Sequence, residues 1–292
     1  MKSTANPYAY GALAAEKYIK DWGIAALPID PFAIAAEFKI TVAAKPASNA
    51  GVSGMLIRVG NEFAIAYAMH IDNEPFQRYS VGHELGHYFL PGHPEAVLDA
   101  RGVHESRAQF TSKDRYEMEA DGFAAGLLMP RHLFFPALER AGQGLAAVEN
   151  LGTLCKTSLH ATAIRYAQCT REPAAIIVSV GDKIDQCFMS EALKAVDGID
   201  WLHKREAVPR NTPTFAFNQD AESVRRAVRI EAGSNLQDWF GGRRRIAIDE
   251  DVIGLGSYGK TLTVLYNIAV PEPEEEEDEA ALIESWTPRF KR

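Results

Sequence analysis

Residues 79–91 read YSVGHELGHYFLP, and the rest of the chain is best read outward from them. The stretch contains His83-Glu84-Leu85-Gly86-His87, an H-E-x-x-H box. On a helix, residues four apart lie on one face about one turn apart, so both imidazoles can grip one metal ion from the same side. Glu84 follows the first histidine and can reach a water on that metal. Two imidazoles and an open position suit zinc, which lowers the pKa of a bound water to roughly 7. In such chemistry Glu84 is the general base, taking a proton and returning it to the leaving group. A helix is expected here. Asn73, Glu74 and Pro75 are start signals, and Pro91-Gly92 is a stop. Gly82 and Gly86 each cost a helix about 1 kcal/mol against alanine, so their presence implies that another backbone comes close.

A second stretch carries as much information. Residues 114–130, DRYEMEADGFAAGLLMP, predict a helix from about Lys113 to Met129 that stops at Pro130. Advancing about 100° per residue places Glu117 and Asp121 together in the apolar face. Glu119 falls on the far side with Gly122 and Gly126, and is expected to face water. A carboxylate in an apolar face is costly unless paired or bound to metal. Glu117 as a third ligand resolves that cost, and Asp121 can then accept the second N–H of a ligand histidine, His83. Thermolysin-like peptidases show this order, H-E-x-x-H followed by E-x-x-x-D on a second helix. The alternative is a capping box, with Asp114 and Glu117 satisfying the helix start. His93 lies where metzincin peptidases keep a third histidine, but that pattern needs a glycine where Leu90 stands. His93 is therefore read as a loop histidine.

Together VGHELGHYFL and YEMEADGFAAGLLMP resemble the ImmA/IrrE family of zinc metallopeptidases, over roughly residues 30–170. The resemblance implies a zincin core in which His83, His87 and Glu117 bind zinc and Glu84 is the base. It also implies a protein substrate, a helix-turn-helix repressor cut in a stress, DNA-damage or mobile-element response. Manganese or iron(II) are the alternative metals. The rival reading is a non-proteolytic zinc-binding regulator that binds DNA or sequesters a repressor.

The whole chain fits this frame. Its 292 residues carry a formal net charge of -8 and 47% hydrophobic residues. That balance argues against broad, charge-driven nucleic-acid binding. Three cysteines, Cys155, Cys169 and Cys187, form no C-x-x-C pair and suggest no disulfide framework. No signal segment and no long apolar run is present, so a cytoplasmic setting without a membrane is expected. The expected fold class is α+β: a zincin-like, mainly helical metallopeptidase domain with a small N-terminal β-sheet, then a smaller α+β C-terminal domain. The expected divisions are residues 1–170, a regulatory or substrate-docking domain at 171–270, and an acidic linker and tail at 271–292.

Other segments are assigned by local pattern. Helices are expected over 8–20 and 31–40, with a loop from Lys45 to Gly54. Met55–Val59 and Glu62–Ala68 predict a hairpin about Gly60-Asn61. Its second strand is a candidate edge for holding a substrate backbone by strand addition. Residues 94–113 are expected as a loop containing His104. Residues 144–169 predict two helices turning near Lys156–Ser158, a helix-turn-helix-like segment. Its few basic residues, Lys156 and Arg165, favour packing over direct DNA contact. His104, His160 and Tyr88 are candidates for an oxyanion-stabilising or accessory role. Further on, 174–180 and 183–190 predict a strand pair about Gly181-Asp182. A helix is expected over 221–231, and strands over 243–248 and 261–270. The last of these places Leu262, Val264, Tyr266, Ile268 and Val270 on one face. Arg225, Arg226, Arg229 and Arg243–Arg245 are read as solvated surface. Residues 254–261, GLGSYGKT, imitate a phosphate loop, but a β-branched strand follows where a helix is required.

Overall fold

Asparagine or aspartate followed within two residues by proline opens three of the first helices. Asn6 accepts from the Tyr8 amide, Asp30 from Phe32 and Asn73 from Phe76, each satisfying a donor that the helix cannot. The computed structural model describes residues 6–45, 51–69, 73–107, 114–243 and 245–269. The first unit runs α1 (Pro7–Asp21), α2 (Pro31–Glu37), β1 (Thr41–Lys45), β2 (Val52–Val59), β3 (Glu62–Ala68), α3 (Glu74–Phe89), α4 (His93–Val97), β4 (Val103–Arg107) and α5 (Arg115–Leu128). Three helices follow: α6 (Arg131–Ala141), α7 (Gly144–Cys155) and α8 (Leu159–Cys169). The chain closes with β5 (Ala175–Val180), β6 (Lys183–Met189), α9 (Glu191–Lys194), α10 (Pro213–Asn218), α11 (Ala221–Arg225), β7 (Arg229–Asn235), α12 (Leu236–Phe240), β8 (Ala247–Gly254) and β9 (Thr261–Tyr266). The architecture is α+β, as expected: a small sheet with a helical region, then an antiparallel sheet of five strands.

The first sheet has strand order β1-β3-β2-β4, with β1 parallel to β3 and the other pairs antiparallel. It packs on α3, which packs on α5, which in turn packs on α1. Close packing of these helices is made by small residues. A Cβ on Gly86 would lie 3.0 Å from Ala120 Cα, and one on Gly122 would lie 1.9 Å from the Tyr8 carbonyl oxygen. Larger side chains at these points would push α3 and α1 off α5. Leu56, Ile65, Val81, Leu85, Phe123 and Leu127 fill the core between sheet and helices.

The second sheet has order β6-β5-β9-β8-β7. Both of its faces are buried, and residues alternate between two cores. Ile176, Val178, Leu262 and Val264 pack onto α6, α7 and α8. Ala175, Ile177 and Leu265 face the opposite way, toward Leu193, Trp239 and Phe240. Asp251 on β8 accepts from the Leu145 amide at 2.9 Å, capping the start of α7 from the sheet.

Several expectations change. The supposed loop over 94–113 contains α4 and β4, and β1 extends the first sheet. The Lys45–Gly54 loop gives way to strand at Val52, and residues 46–50 lie outside the described residues. Strand β3 is interior in its sheet, so the edge beside α3 is not the one expected; β4 is an edge. The helix expected over 221–231 ends at Arg225, because Ala227 adopts a positive φ of 54° and β7 begins at Arg229. The strand expected from residue 243 begins at Ala247 and runs on to Gly254. Strand β9 ends at Tyr266, where Asn267 turns with φ 53°, so Ile268 joins the opposite core from Leu262 and Val264. The phosphate-loop look-alike is a hairpin turn with a single 3-10 turn, Gly256–Tyr258, between antiparallel strands. Arg225 pairs with Glu222, and Arg229 bridges Glu149 and Glu231. The acidic run and tail at 271–292, with Val270 and Arg244, fall outside the described residues.

Candidate metal centre

Helix α3 places His83 and His87 on one face, with their Nε2 atoms 3.1 Å apart. From α5, Glu117 reaches into the same space. Its Oε2 lies 3.4 Å from His83 Nε2, and its Oε1 lies 3.5 Å from His87 Nε2. The capping alternative is settled by a division of labour. The Asp114 side chain caps α5 alone, accepting from the Tyr116 and Glu117 amides, and this leaves the Glu117 carboxylate to the histidines. These three side chains form the one cluster, among the described residues, whose donor atoms lie close enough together to hold a metal ion.

The outer nitrogens of both histidines are also bound. His83 Nδ1 lies 2.9 Å from Asp121 Oδ1. The Tyr79 hydroxyl donates to the same carboxylate oxygen and to the Asp121 carbonyl, each at 3.2 Å. His87 Nδ1 lies 3.1 Å from His93 Nδ1, and His93 Nε2 lies 2.9 Å from Glu119 Oε2. Two expectations are corrected here. His93 is buried beside the cluster at the start of α4, not in a loop, and Glu119 is only 3% exposed, not turned to water. Helical periodicity assumed a single buried face on α5, but α1 covers the opposite face as well.

His104 enters from β4. Its Nε2 lies 3.0 Å from Glu117 Oε1, and its ring stands edge-on to His87 with centroids 4.5 Å apart. His160 and Tyr88 are not brought to the cluster. His160 bonds to Gln186 on β6 at 2.8 Å. The Tyr88 ring packs against Phe63 and Phe89.

Glu84 is fully buried, and no protein group hydrogen-bonds either carboxylate oxygen. Burial raises its pKa, while the nearby His83 charge works the other way. The Ser106 hydroxyl on β4 approaches Glu84 and eases its charge as a donor, short of full hydrogen-bond geometry. Gly54 on β2 makes room for the carboxylate, since a Cβ there would lie 2.5 Å from Glu84 Oε1. Burial opposes charge on His83, but Asp121 and Glu117 outweigh it and carry its pKa to about 10. Burial opposes charge on Glu117 too, yet His104, His83 and His87 hold it far below the carboxylate range. At His87 burial prevails over Glu117, and the pKa falls to about 3. The cluster thus sets one strongly anionic carboxylate among converging imidazole nitrogens, which is the donor set of a cation site once the imidazoles are neutral.

Sequence reasoning did not foresee Ser106, Gly54, Glu119 or the role of His93. The turn Pro91-Gly92 was the available signal for His93. Gly92 takes φ 78° and reverses the chain just after α3, bringing His93 back under His87.

Two histidines and a buried glutamate on one helix, completed by a glutamate from a second, make the site of a metallopeptidase of the zincin class. Residues 35–166 match the family described as Peptidase_M78, IrrE N-terminal-like domain. That part of the chain is a domain of the ImmA/IrrE family. Among solved structures, a Mycobacterium tuberculosis transcriptional regulator is similar with a TM-score of 0.56 and 13% identity, over 88% of this chain and 75% of that chain. At that identity the likeness is one of fold. It extends beyond the family domain into the second sheet. No curated protein sequence matches this chain.

Proposed function

We propose that the chain is a zinc-dependent endopeptidase of regulatory type, cleaving a helix-turn-helix repressor in a stress, DNA-damage or mobile-element response in the cytoplasm. One observation carries the reading: a partnerless, buried Glu84 carboxylate set beside a converged His83, His87 and Glu117. A purely structural metal site has no use for a base at its open side. The donors fit zinc by type and by spacing. Tetrahedral zinc with bonds of about 2.0–2.1 Å separates its ligand atoms by roughly 3.3–3.4 Å. The three separations here are 3.1, 3.4 and 3.5 Å. When bound, zinc supplies Lewis-acid chemistry, acidifying water and polarising a carbonyl.

The chain's own residues supply the rest. Glu84 receives a proton on a carboxylate that no protein group holds in a full hydrogen bond. Its raised pKa brings it closer to neutral pH, where a general base works best. It then releases the proton to the departing amine. His104 Nε2 lies 3.0 Å from Glu117; once Glu117 is committed to the metal, that N–H is free to donate to charge developing on a carbonyl oxygen. Strand β4 carries His104 and is an edge of its sheet. An extended peptide added along that edge passes the cluster. Among the described residues no helix is long and apolar enough to cross a membrane.

The test is incubation of the purified protein with a repressor encoded beside it, with and without a chelator. A cut that disappears on chelation and returns with zinc is expected. A stable, uncut complex under every condition supports the rival, non-proteolytic regulator.

A further inference from the structure

The geometry points to His93 and Glu119 as a positioning pair that fixes the ring of His87 through its outer nitrogen. The inference rests on His83, His87 and Glu117 holding a metal.

The direction of the hydrogen bonds follows from chemistry. His87 Nε2 faces His83 and Glu117, so its lone pair is committed to the metal and its proton sits on Nδ1. Among the described residues, the neighbour that N–H meets is His93 Nδ1 at 3.1 Å. His93 Nδ1 must therefore accept, which places the His93 proton on Nε2. This N–H donates to Glu119 Oε2 at 2.9 Å. A carboxylate only accepts, so the chain ends there. Glu119 Oε1 is occupied by Arg115 at 2.5 Å. With His87 bound through Nε2 as a neutral imidazole, this arrangement gives each of the four atoms a partner.

Burial and packing hold the pair still. The His93 and Glu119 side chains are 1% and 4% exposed. Tyr116 stands edge-on to the His93 ring, centroids 5.0 Å apart. The backbone at Glu119 is pinned by α1, where a Cβ on Gly11 would lie 1.8 Å from the Glu119 carbonyl oxygen. Apart from the Arg115 contact of Glu119, the packing would admit apolar side chains of similar size at both positions. The polar pair is explained by what it does for His87. The two ligand histidines are thus backed unequally. His83 leans on a carboxylate directly, through Asp121. His87 reaches its carboxylate through an intervening imidazole.

Outer partners of this kind are worth about 10–100-fold in metal affinity. The experiment measures zinc affinity of the full chain by chelator competition, and the visible spectrum of the cobalt-loaded protein. His93→Leu removes the acceptor; His93→Asn keeps an oxygen near the position of Nδ1. Expected is a loss of about 10–100-fold for His93→Leu, with His93→Asn recovering most of it. Glu119→Gln keeps its shape and serves if His93→Leu fails to fold; a loss of about tenfold, the lower end of the range, with an altered cobalt spectrum is expected. Wild-type affinity in His93→Leu overturns the proposal. So does an equal loss in the leucine and asparagine variants, or an unchanged Glu119→Gln. A wild-type chain that binds no zinc sinks the metal reading itself, whereas zinc-binding wild type with indifferent variants sinks only the pair.

Discussion

Among the described residues two glutamates, Glu84 and Glu250, lie fully buried, and they are treated in opposite ways. Glu250, on β8 of the second sheet, accepts hydrogen bonds on both carboxylate oxygens. Its Oε1 accepts from the Thr214 amide at 2.8 Å and the Thr214 hydroxyl at 2.7 Å. Its Oε2 accepts from Trp239 Nε1 at 2.8 Å. Thr263 completes the network by meeting Thr214 at 2.7 Å. Glu84, on α3, has no hydrogen-bond partner on either oxygen. A buried carboxylate without partners is a cost, and native proteins rarely carry one without a use. The contrast separates a charge that holds elements together from a charge kept available. Glu250 ties α10 and α12 to the sheet. In the proposed function, Glu84 is kept for a proton that comes from outside the protein.

The largest test of this contrast is Glu84→Gln. Loss of the general base should lower cleavage by about 10²–10⁴-fold. Zinc content should stay at the wild-type level, and thermal stability should stay equal or rise, since a buried unpaired charge is removed. A variant that melts clearly below wild type would show Glu84 to be structural after all. The next is Glu250→Ala. It strands the Thr214 and Trp239 donors and should cost about 3 kcal/mol of stability, read by chemical denaturation. Zinc affinity of the folded fraction should not change. If zinc binding falls with it, the two buried acids are coupled and the separation drawn here fails. The smallest effect is expected from Gly54→Ala. Its methyl must push the Glu84 carboxylate aside, so activity should fall about tenfold while the melting temperature moves by only a few degrees. An alanine variant as active as wild type would mean that Glu84 moves freely and is not held by β2.

The same contrast explains what could be read beforehand. The box on α3 and the acidic pair on α5 are local patterns, and their helix starts and stops are local too. Asn73, Asp114 and Ser158 each cap the helix that follows them. The hairpin about Gly60-Asn61 follows from its turn residues. Strand β4 was not legible, because VHESR shows no apolar alternation. It exists because β2 offers a partner for pairing. Helix α11 is short because the chain turns at Ala227, a residue with no intrinsic preference for positive φ. Glu119 was misplaced because one helix period cannot reveal a second covering element.

By itself the sequence determined the two helices of the site, α3 and α5, the ligand spacing on each, and the inward turn of Glu117 and Asp121. These depend on neighbours within a turn or two, where propensity, capping and periodicity act. Only the tertiary structure decided that His104 stands over Glu117, that His93 and Glu119 back His87, and that Gly54 shelters Glu84. Those contacts join residues from separate elements, brought together by the burial of apolar faces and not by any signal written beside them.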